Sequence, residues 1–305
     1  MEQRVLDPTT GMLTQRSQVL VNNLLALDGV PQRGKVLDVG CGTGATLRAF
    51  SEGRDWRLFG LELDDRNLQR LASIQNFETL YTCAFSDLPG QFTMITMVHA
   101  LEHFTEPLKT LRSLHSKIVL EGRLFVEVPD AESNPFDYVI ADHMLHFNPR
   151  TLRTLITKAG FAVDCLATSW VAKELSLTAH PDADTAASPS SNGMETLEQT
   201  RTQIAWLTRF LDTARTAADG NRKFGLFGSS IAATWLCGIL GDRVSFFVEE
   251  DPNRVGRTHM RRPIISPAET PPRSVVYLAL IPQIASRVAE RLGDTGTFCL
   301  PPPSV

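Results

Sequence analysis

VLDVGCGTG, running from Val36 to Gly44, is the stretch that decides the fold. Val36, Leu37 and Val39 make a short apolar run of the kind that forms a buried strand, a glycine-rich turn follows at once, and ATLRAF then opens a helical pattern. Glycines at 40, 42 and 44 let the backbone enter positive φ and let a ligand approach without a Cβ in the way. The helix start behind them offers unpaired N–H groups. Strand, glycine turn and helix in this order form the entrance of a nucleotide-type cofactor site. Spacing alone leaves its owner open. Gly40, Gly42 and Ala45 also satisfy the dinucleotide fingerprint in its G/A form. Glu62, at the end of the apolar run RLFGLELD, stands about 20 residues on, where a carboxylate can accept both ribose hydroxyls. An NAD(P)-dependent oxidoreductase therefore stays open at this step.

Composition describes an ordinary enzyme-sized chain. Its 305 residues are 43% hydrophobic and 21% charged, with a formal net charge of −4, so no basic excess argues for nucleic acid or an anionic membrane surface. SSIAATWLCGIL and SVVYLALIP are too short and too interrupted to span a bilayer, and MEQRVLDPTT lacks the pattern of a signal peptide, so a cytoplasmic location is the expectation. Five scattered cysteines form no C-x-x-C pair, so neither a zinc site nor a disulfide framework, and no metal, is expected. Cys41, inside the glycine turn, is expected to be a small packing residue rather than a reactive thiol.

The segments after the turn resemble class I S-adenosylmethionine-dependent methyltransferases. VLDVGCGTG is similar to that family's first motif, GLELD carries the ribose acid, and YTCAFSDLP resembles the adenine-side loop. QFTMITMVHALEHFTEP resembles the fourth strand and the motif after it, EGRLFVEVPD the fifth strand, and HFNPRTLRTLITKAGF the helix leading to the last strands. The resemblance runs in order from Val36 to Leu166. It implies an α/β fold with a Rossmann-like sheet, and S-adenosylmethionine as cofactor. It also implies that Gly40, Cys41, Gly42 and Gly44 shape the loop under the methionine and ribose portions, and that Asp38 orders that loop or reaches the methionine amine through water. Glu62 takes the ribose hydroxyls and Leu63 walls the adenine. Ala84 and Phe85 stand at the adenine edge, and His99 and Leu101 line the methionine end.

Around this centre the pattern divides the chain into residues 1–177, a methyltransferase domain with an N-terminal helix over about 12–27, a linker or surface loop over 178–194, and a smaller Rossmann-like α/β domain over 195–305. Alternating strand and helix up to about Lys173 predicts a parallel sheet with crossover helices. In the last segment KFGLFGSSIAATWLCGILG predicts strand, glycine turn and helix, and RVSFFVEEDPNRVG a strand ending in acids. Its turn, Gly225-x-x-Gly228-Ser229-Ser230, lacks the full dinucleotide spacing, so a Rossmann-like half without its own cofactor is expected there. Trp206 and Trp235 are expected to be packing residues.

This last segment resembles the C-terminal domain of sugar C-methyltransferases, on Gly228, Ser229, Ser230, the run Glu250 to Asn253, Gly256 and Arg257. The resemblance implies recognition of a nucleotide-linked sugar. That family begins with a cysteine-rich zinc module, which this sequence lacks, and its Tyr-His-Glu-His run corresponds here to Ile140, Ala141, Asp142 and His143. His143 is the candidate base, with Asp142 orienting it or tuning its pKa. Glu102 and His103 also resemble an acid–base pair, but are expected to cap and orient the next helix. The reaction this implies is methyl transfer to a small-molecule acceptor, a nucleotide-linked or phosphorylated sugar. Small-molecule O- or N-methylation, a catalytically silent S-adenosylmethionine-binding partner, and an oxidoreductase remain alternatives. The oligomeric state is left open.

Overall fold

The computed structural model describes residues 4–6, 12–52, 55–182, 193–220, 222–293 and 298–303. Two compact units emerge, one of Met1–Ser133 and Asp142–Asn192, the other of Asn134–Ala141 and Gly193–Val305.

The first unit opens on a small antiparallel pair, β1 (Arg4–Leu6) and β2 (Leu13–Gln15), followed by helix α1 (Arg16–Leu25). Its main elements then run β3 (Gly34–Val39), α2 (Ala45–Ser51), β4 (Trp56–Leu61), α3 (Leu68–Leu71), β5 (Phe77–Tyr81), β6 (Phe92–Val98) and α4 (Pro107–His115). They continue with β7 (Ile118–Pro129), α5 (Pro149–Lys158), β8 (Phe161–Ala167) and β9 (Glu174–Pro181). Seven strands form one sheet in the order β5-β4-β3-β6-β7-β9-β8. The chain winds outward from β3 to β5, then returns to place β6 on the other side of β3. That reversal opens a crevice beyond the carboxyl ends of β3 and β6, where open α/β sheets bind ligands.

Successive residues of the central strands serve opposite faces, as a strand requires. Leu37, Phe59, Ile95 and Leu124 pack with Leu111, Leu114, Leu152 and Ile156 of α4 and α5. Val36, Leu58, Met94 and Phe125 pack with Leu20, Leu24, Leu47 and Phe50 of α1 and α2. Helix α5 starts where the sequence says it should: Asn148 caps it in a reciprocal box with Thr151, and Pro149 takes the first helical position.

The parallel sheet expected up to about Lys173 is present, with β3 to β7 all pairing in parallel, and the strand that follows it departs from that pattern. β9 runs antiparallel to both β7 and β8, because the short turn after β8 leaves no room for a crossover helix. The linker expected over 178–194 is also shorter. Thr178 to Pro181 complete β9, with Thr178 opposite Phe125 and Ala179 opposite Leu124, and helix α6 begins at Gly193. Small, weakly apolar residues hide this strand end from a hydrophobicity reading, although Thr178 and Ala179 are fully buried. Residues 183–192 lie outside the described residues. The N-terminal helix spans Arg16–Leu25 rather than about 12–27, since Leu13–Gln15 pair as a strand.

The second unit consists of α6 (Gly193–Ala218), β10 (Phe224–Phe227), α7 (Ile231–Leu240), β11 (Val244–Val248), β12 (Thr258–His259) and β13 (Arg262–Ile265), then β14 (Val275–Leu278), α8 (Pro282–Leu292) and β15 (Phe298–Cys299). Its six strands lie in the order β12-β13-β11-β10-β14-β15, parallel except for the β12–β13 pair. The segment Asn134–Ala141, expected within the first domain, belongs to this unit. The reason is aromatic: Phe136 meets Trp206 and Phe210 with ring centroids 5.7 and 5.1 Å apart. Trp206 is a buried packing residue whose Nε1 donates to backbone carbonyls of Pro302 and Pro303. Among the described residues no helix is long and apolar enough to cross a membrane.

Phe210 is fully buried and touches Phe136, Trp206, Trp235 and Tyr277. Phe210→Ala should cost about 3–5 kcal/mol through lost burial and the cavity left behind. Urea unfolding followed by tryptophan fluorescence will read this as an earlier transition of the second unit.

Candidate active site

The glycine turn crosses the crevice from β3 to α2. Gly40, Gly42 and Gly44 have φ of 71, 51 and 79°, in the left-handed region that favours glycine. They are glycines for different reasons. A Cβ on Gly44 would lie 2.5 Å from Ile74 Cδ1, so that position is closed by packing. A Cβ on Gly42 would meet nothing within 4 Å, so the backbone there faces open space that a ligand can enter.

Glu62 follows β4 and turns back onto this loop. The Gly42 N–H donates to Glu62 Oε1 at 2.6 Å and the Leu63 N–H donates to Oε2 at 3.2 Å. A half-buried carboxylate, acceptor only, thus stands beside an open glycine, and an acceptor in that place is what the two donating hydroxyls of a ribose diol require. Leu63 beside it is 96% exposed, an apolar side chain uncovered at the mouth of the crevice. Ala84 is exposed, and its carbonyl accepts the Asp87 N–H of a short 3-10 turn. Phe85 is half-buried with its ring 5.7 Å from that of Phe104.

Asp38 lies under the loop, buried, accepting a hydrogen bond from Thr96 Oγ1 at 2.6 Å across the β3–β6 pair. Burial raises its pKa to about 7, against the lowering effect of the Thr96 bond and with a further push from the Glu62 charge. The bond ties β3 to β6 two residues before the first glycine of the turn. Thr96 carries no motif of its own, so only the strand register reveals it. Cys41 is buried, and its thiol pKa is raised by burial and by the charges of Asp38 and Glu62. Its sulfur fills the space beside Gly60, where a Cβ would come within 2.6 Å of it.

At the exit of β6 the structure separates residues the sequence grouped. Leu101 is fully buried in the core, so it backs the site and does not line it. His99, with φ of 49°, is partly open and sits in a charged cluster. Its Nδ1 lies 3.1 Å from Glu102 Oε1, its Nε2 lies 3.5 Å from Glu174 Oε1, and the Arg16 guanidinium lies against Nε2. Arg16 donates to Glu127 Oε1 at 2.7 Å. Burial works to lower the His99 pKa, but the Glu102 bond and the Glu174 charge outweigh it and hold it above the usual value. Glu174 is raised to about 7, chiefly by burial. Arg16, Glu127 and Glu174 were not legible as site residues, because they lie far apart in sequence and match no motif.

The expected Asp142–His143 pairing is corrected. Asp142 faces His103: its backbone carbonyl accepts from His103 Nδ1 at 2.8 Å, and its carboxylate lies 3.8 Å from the same nitrogen. Because a carbonyl only accepts, His103 carries its proton on Nδ1 and presents Nε2 outward. The His143 ring stands edge-on to His103 with centroids 5.0 Å apart. Glu102, fully buried, anchors this loop through its carbonyl, which accepts the N–H groups of Met144 and Leu145. Among the described residues, two triads bring potential metal-ligand atoms within 4.8 Å of one another, Glu102–His103–His143 and His99–Glu127–Glu174. In the second, the Arg16 guanidinium already serves as the cation.

With this geometry in view, the comparisons with known proteins give the family. A family model described as a methyltransferase domain matches residues 12–166, about half of the sequence, and the chain belongs to that family. A ubiquinone biosynthesis O-methyltransferase of Pseudomonas aeruginosa (strain UCBPP-PA14) is 24% identical over 127 residues, covering 38% of this chain and 54% of that protein. The Idiomarina loihiensis protein of the same name is 29% identical over 126 residues, covering 38% of this chain and 51% of that one. The chain thus spans about half the length of the curated relatives it matches. Among solved structures, the 1,6-didemethyltoxoflavin-N1-methyltransferase of Burkholderia thailandensis with bound S-adenosylhomocysteine is 20% identical. It covers 55% of this chain and 76% of its own, with a TM-score of 0.43. An S-adenosylmethionine-dependent methyltransferase of Clostridium acetobutylicum is 8% identical, covering 54% and 90%, with a TM-score of 0.45.

The raised pKa of Asp38 has a definite sign in stability. The folded state binds this proton more tightly than the unfolded chain, so unfolding free energy falls as pH rises from about 4 to about 7. Glu174 contributes in the same direction. Asp38→Asn should flatten this decline in urea unfolding measured at a series of pH values, leaving the Glu174 component.

Proposed function

We propose that the chain is an S-adenosylmethionine-dependent methyltransferase acting on a small metabolite. The observation that carries this reading is the open Gly42 cradle closed by the Glu62 carboxylate. When bound, the cofactor supplies an already activated methyl group. The remaining work belongs to the protein. Glu62 holds the ribose end, Leu63 and Phe85 give apolar surface to the base, and Gly40, Gly42 and Gly44 keep the loop low enough to admit the ligand. Asp38 and Thr96 hold the loop in register. His99, one residue from the Ala100 methyl that walls Gly40, faces the methionine end.

On the acceptor side we assign the base to His143, with His103 beside it and Asp142 fixing the His103 tautomer. Methyl transfer asks mainly for alignment at near-attack distance and removal of one proton, which a histidine near neutrality can accept. The favoured acceptor is a nucleotide-linked or phosphorylated sugar. Its support lies within the second unit, which repeats the cradle on a smaller scale. The Ser229 N–H and Oγ donate to Glu249 Oε2 at 3.1 and 2.8 Å, and Gly228, with φ of 87°, donates its N–H to the Val248 carbonyl. Arg254 donates to Ser229 Oγ at 2.9 Å, which adds a positive charge suited to a phosphate. A cavity of about 390 Å³ adjoins Glu249, Glu250 and Ser266.

Calorimetry with S-adenosylhomocysteine and with NAD tests the cofactor: the first should bind and the second should not. Glu62→Ala should weaken S-adenosylhomocysteine binding by roughly 10- to 100-fold, the value of losing one or two hydrogen bonds to a charged acceptor. Unchanged affinity removes Glu62 from the ribose site. His143→Ala should leave that affinity intact and reduce turnover by about 100-fold or more once an acceptor is in hand. Near-normal turnover assigns the base elsewhere.

A further inference from the structure

We infer that Glu102, Glu127 and Glu174, gathered around His99, form a charge-reading wall of the cofactor cleft that favours a cationic ligand, such as a sulfonium or its amine analogue, over a neutral thioether. The inference rests on the S-adenosylmethionine reading above and adds a discrimination between cofactor and demethylated product.

The first support is unmet hydrogen bonding. Glu102 and Glu127 are fully buried, yet Oε2 of each has no partner, and neither does Oε2 of Glu174. Buried carboxylate oxygens are costly to leave unpaired; Arg16 Nε is unpartnered in the same cluster, one donor against three acceptors, so the cluster keeps a deficit of positive or proton-donating partners. Charge counting agrees. Three carboxylates face Arg16 and His99, which bring at most two positive charges, and Arg16 spends its contacts on Glu127, His99 and, at 3.8 Å, Glu174. Counting ion-pair partners, the three carboxylates outnumber those two cations by one, with Lys173 adjoining Glu174 and acting on it through its charge, no ion pair between them being seen among the described residues.

Its place in the fold directs that excess at the cleft. His99 precedes Ala100, whose Cβ would lie 3.0 Å from a Cβ on Gly40, so the cluster begins one residue from the wall of the glycine cradle. Glu127 sits at the carboxyl end of β7 and Glu174 at the start of β9, on the same edge of the sheet. His99 and Lys173, which flank the cluster, both have positive φ (49° and 70°), a backbone state uncommon for non-glycine residues.

Glu174 is the member whose ionisation sets the charge near neutrality. It is faced by Arg16 from α1, by His99 and Glu102 from the β6 exit, by Glu127 from β7, and it adjoins Lys173. Burial raises its pKa to about 7, and a cation beside it would draw the proton off. Lowering pH protonates Glu174 and any neutral His99, and both changes reduce the negative excess.

Titration calorimetry on the full chain tests this with three ligands: S-adenosylmethionine, sinefungin (which carries an amine in place of the methylsulfonium) and S-adenosylhomocysteine. At pH 8 both cationic ligands should bind about tenfold more tightly than the thioether, the order expected for one partly screened charge. The preference should shrink at pH 6. Glu174→Gln should reduce it at pH 8 while S-adenosylhomocysteine affinity stays within about twofold, which also shows that the variant is folded. Should that variant fail to fold, the wild-type ratio at pH 8 and pH 6 decides. Equal affinities at pH 8, or a preference that neither pH nor Glu174→Gln alters, overturns the inference and leaves the function standing. Failure of all three ligands to bind overturns the S-adenosylmethionine reading itself, and this inference with it.

Discussion

One hydrogen bond beneath the glycine loop conditions the rest of the site. Asp38 is a carboxyl group in the fully buried middle of a parallel sheet, where an unpaired charge would cost several kcal/mol. Thr96 Oγ1 supplies the partner from the adjacent strand, and in doing so ties β3 to β6 at the point where the strand order reverses. The crevice exists because those strands part there. The loop that follows takes three left-handed glycines. Glu62 can reach back to Gly42 because β4 ends level with β3, Val39 pairing with Leu61. Cofactor cradle and sheet topology are thus one construction.

The parts of this construction legible in the sequence are those encoded locally. The glycine turn, the apolar run before it and the acid about 20 residues later announce themselves by spacing, and the structure places Glu62 on Gly42. The strand at Thr178 to Pro181 did not, because Thr and Ala carry little hydrophobic signal although both are buried by pairing with β7 and β8. Neither did the membership of Asn134–Ala141, which Phe136 settles through contacts with a helix some 70 residues later. Leu101 and Asp142 show the opposite error. Motif order placed both at the site, but Leu101 turns into the core and Asp142 serves His103, the neighbour that motif reading set aside.

The charged cluster is the clearest case of chemistry invisible to local reading. Arg16 lies at the start of α1, Glu127 in an apolar strand and Glu174 after a hairpin, and only the fold brings them to His99. A single glutamate inside LFVEVP looks like an interruption of a hydrophobic run. In the structure it is the fully buried acceptor for Arg16, which joins the start of α1 to the charged cluster around His99.

The two units also show how one device is adapted. In the first, Gly42 donates a bare backbone N–H to Glu62, which leaves the carboxylate's other lone pairs for ligand hydroxyls. In the second, the carboxylate in the same relation is Glu249, but Ser229 gives it both an N–H and a hydroxyl, and Arg254 stands 3.7 Å away. That carboxylate is already satisfied and its charge partly offset, so the second turn is poorly suited to a ribose diol. A guanidinium at a helix start suits an anion instead. The two carboxylates therefore differ in what they have left to offer: Glu62 keeps lone pairs for ligand hydroxyls, whereas Ser229 has already given its N–H and hydroxyl to Glu249, so the Arg254 guanidinium is the donor there with capacity for an anion.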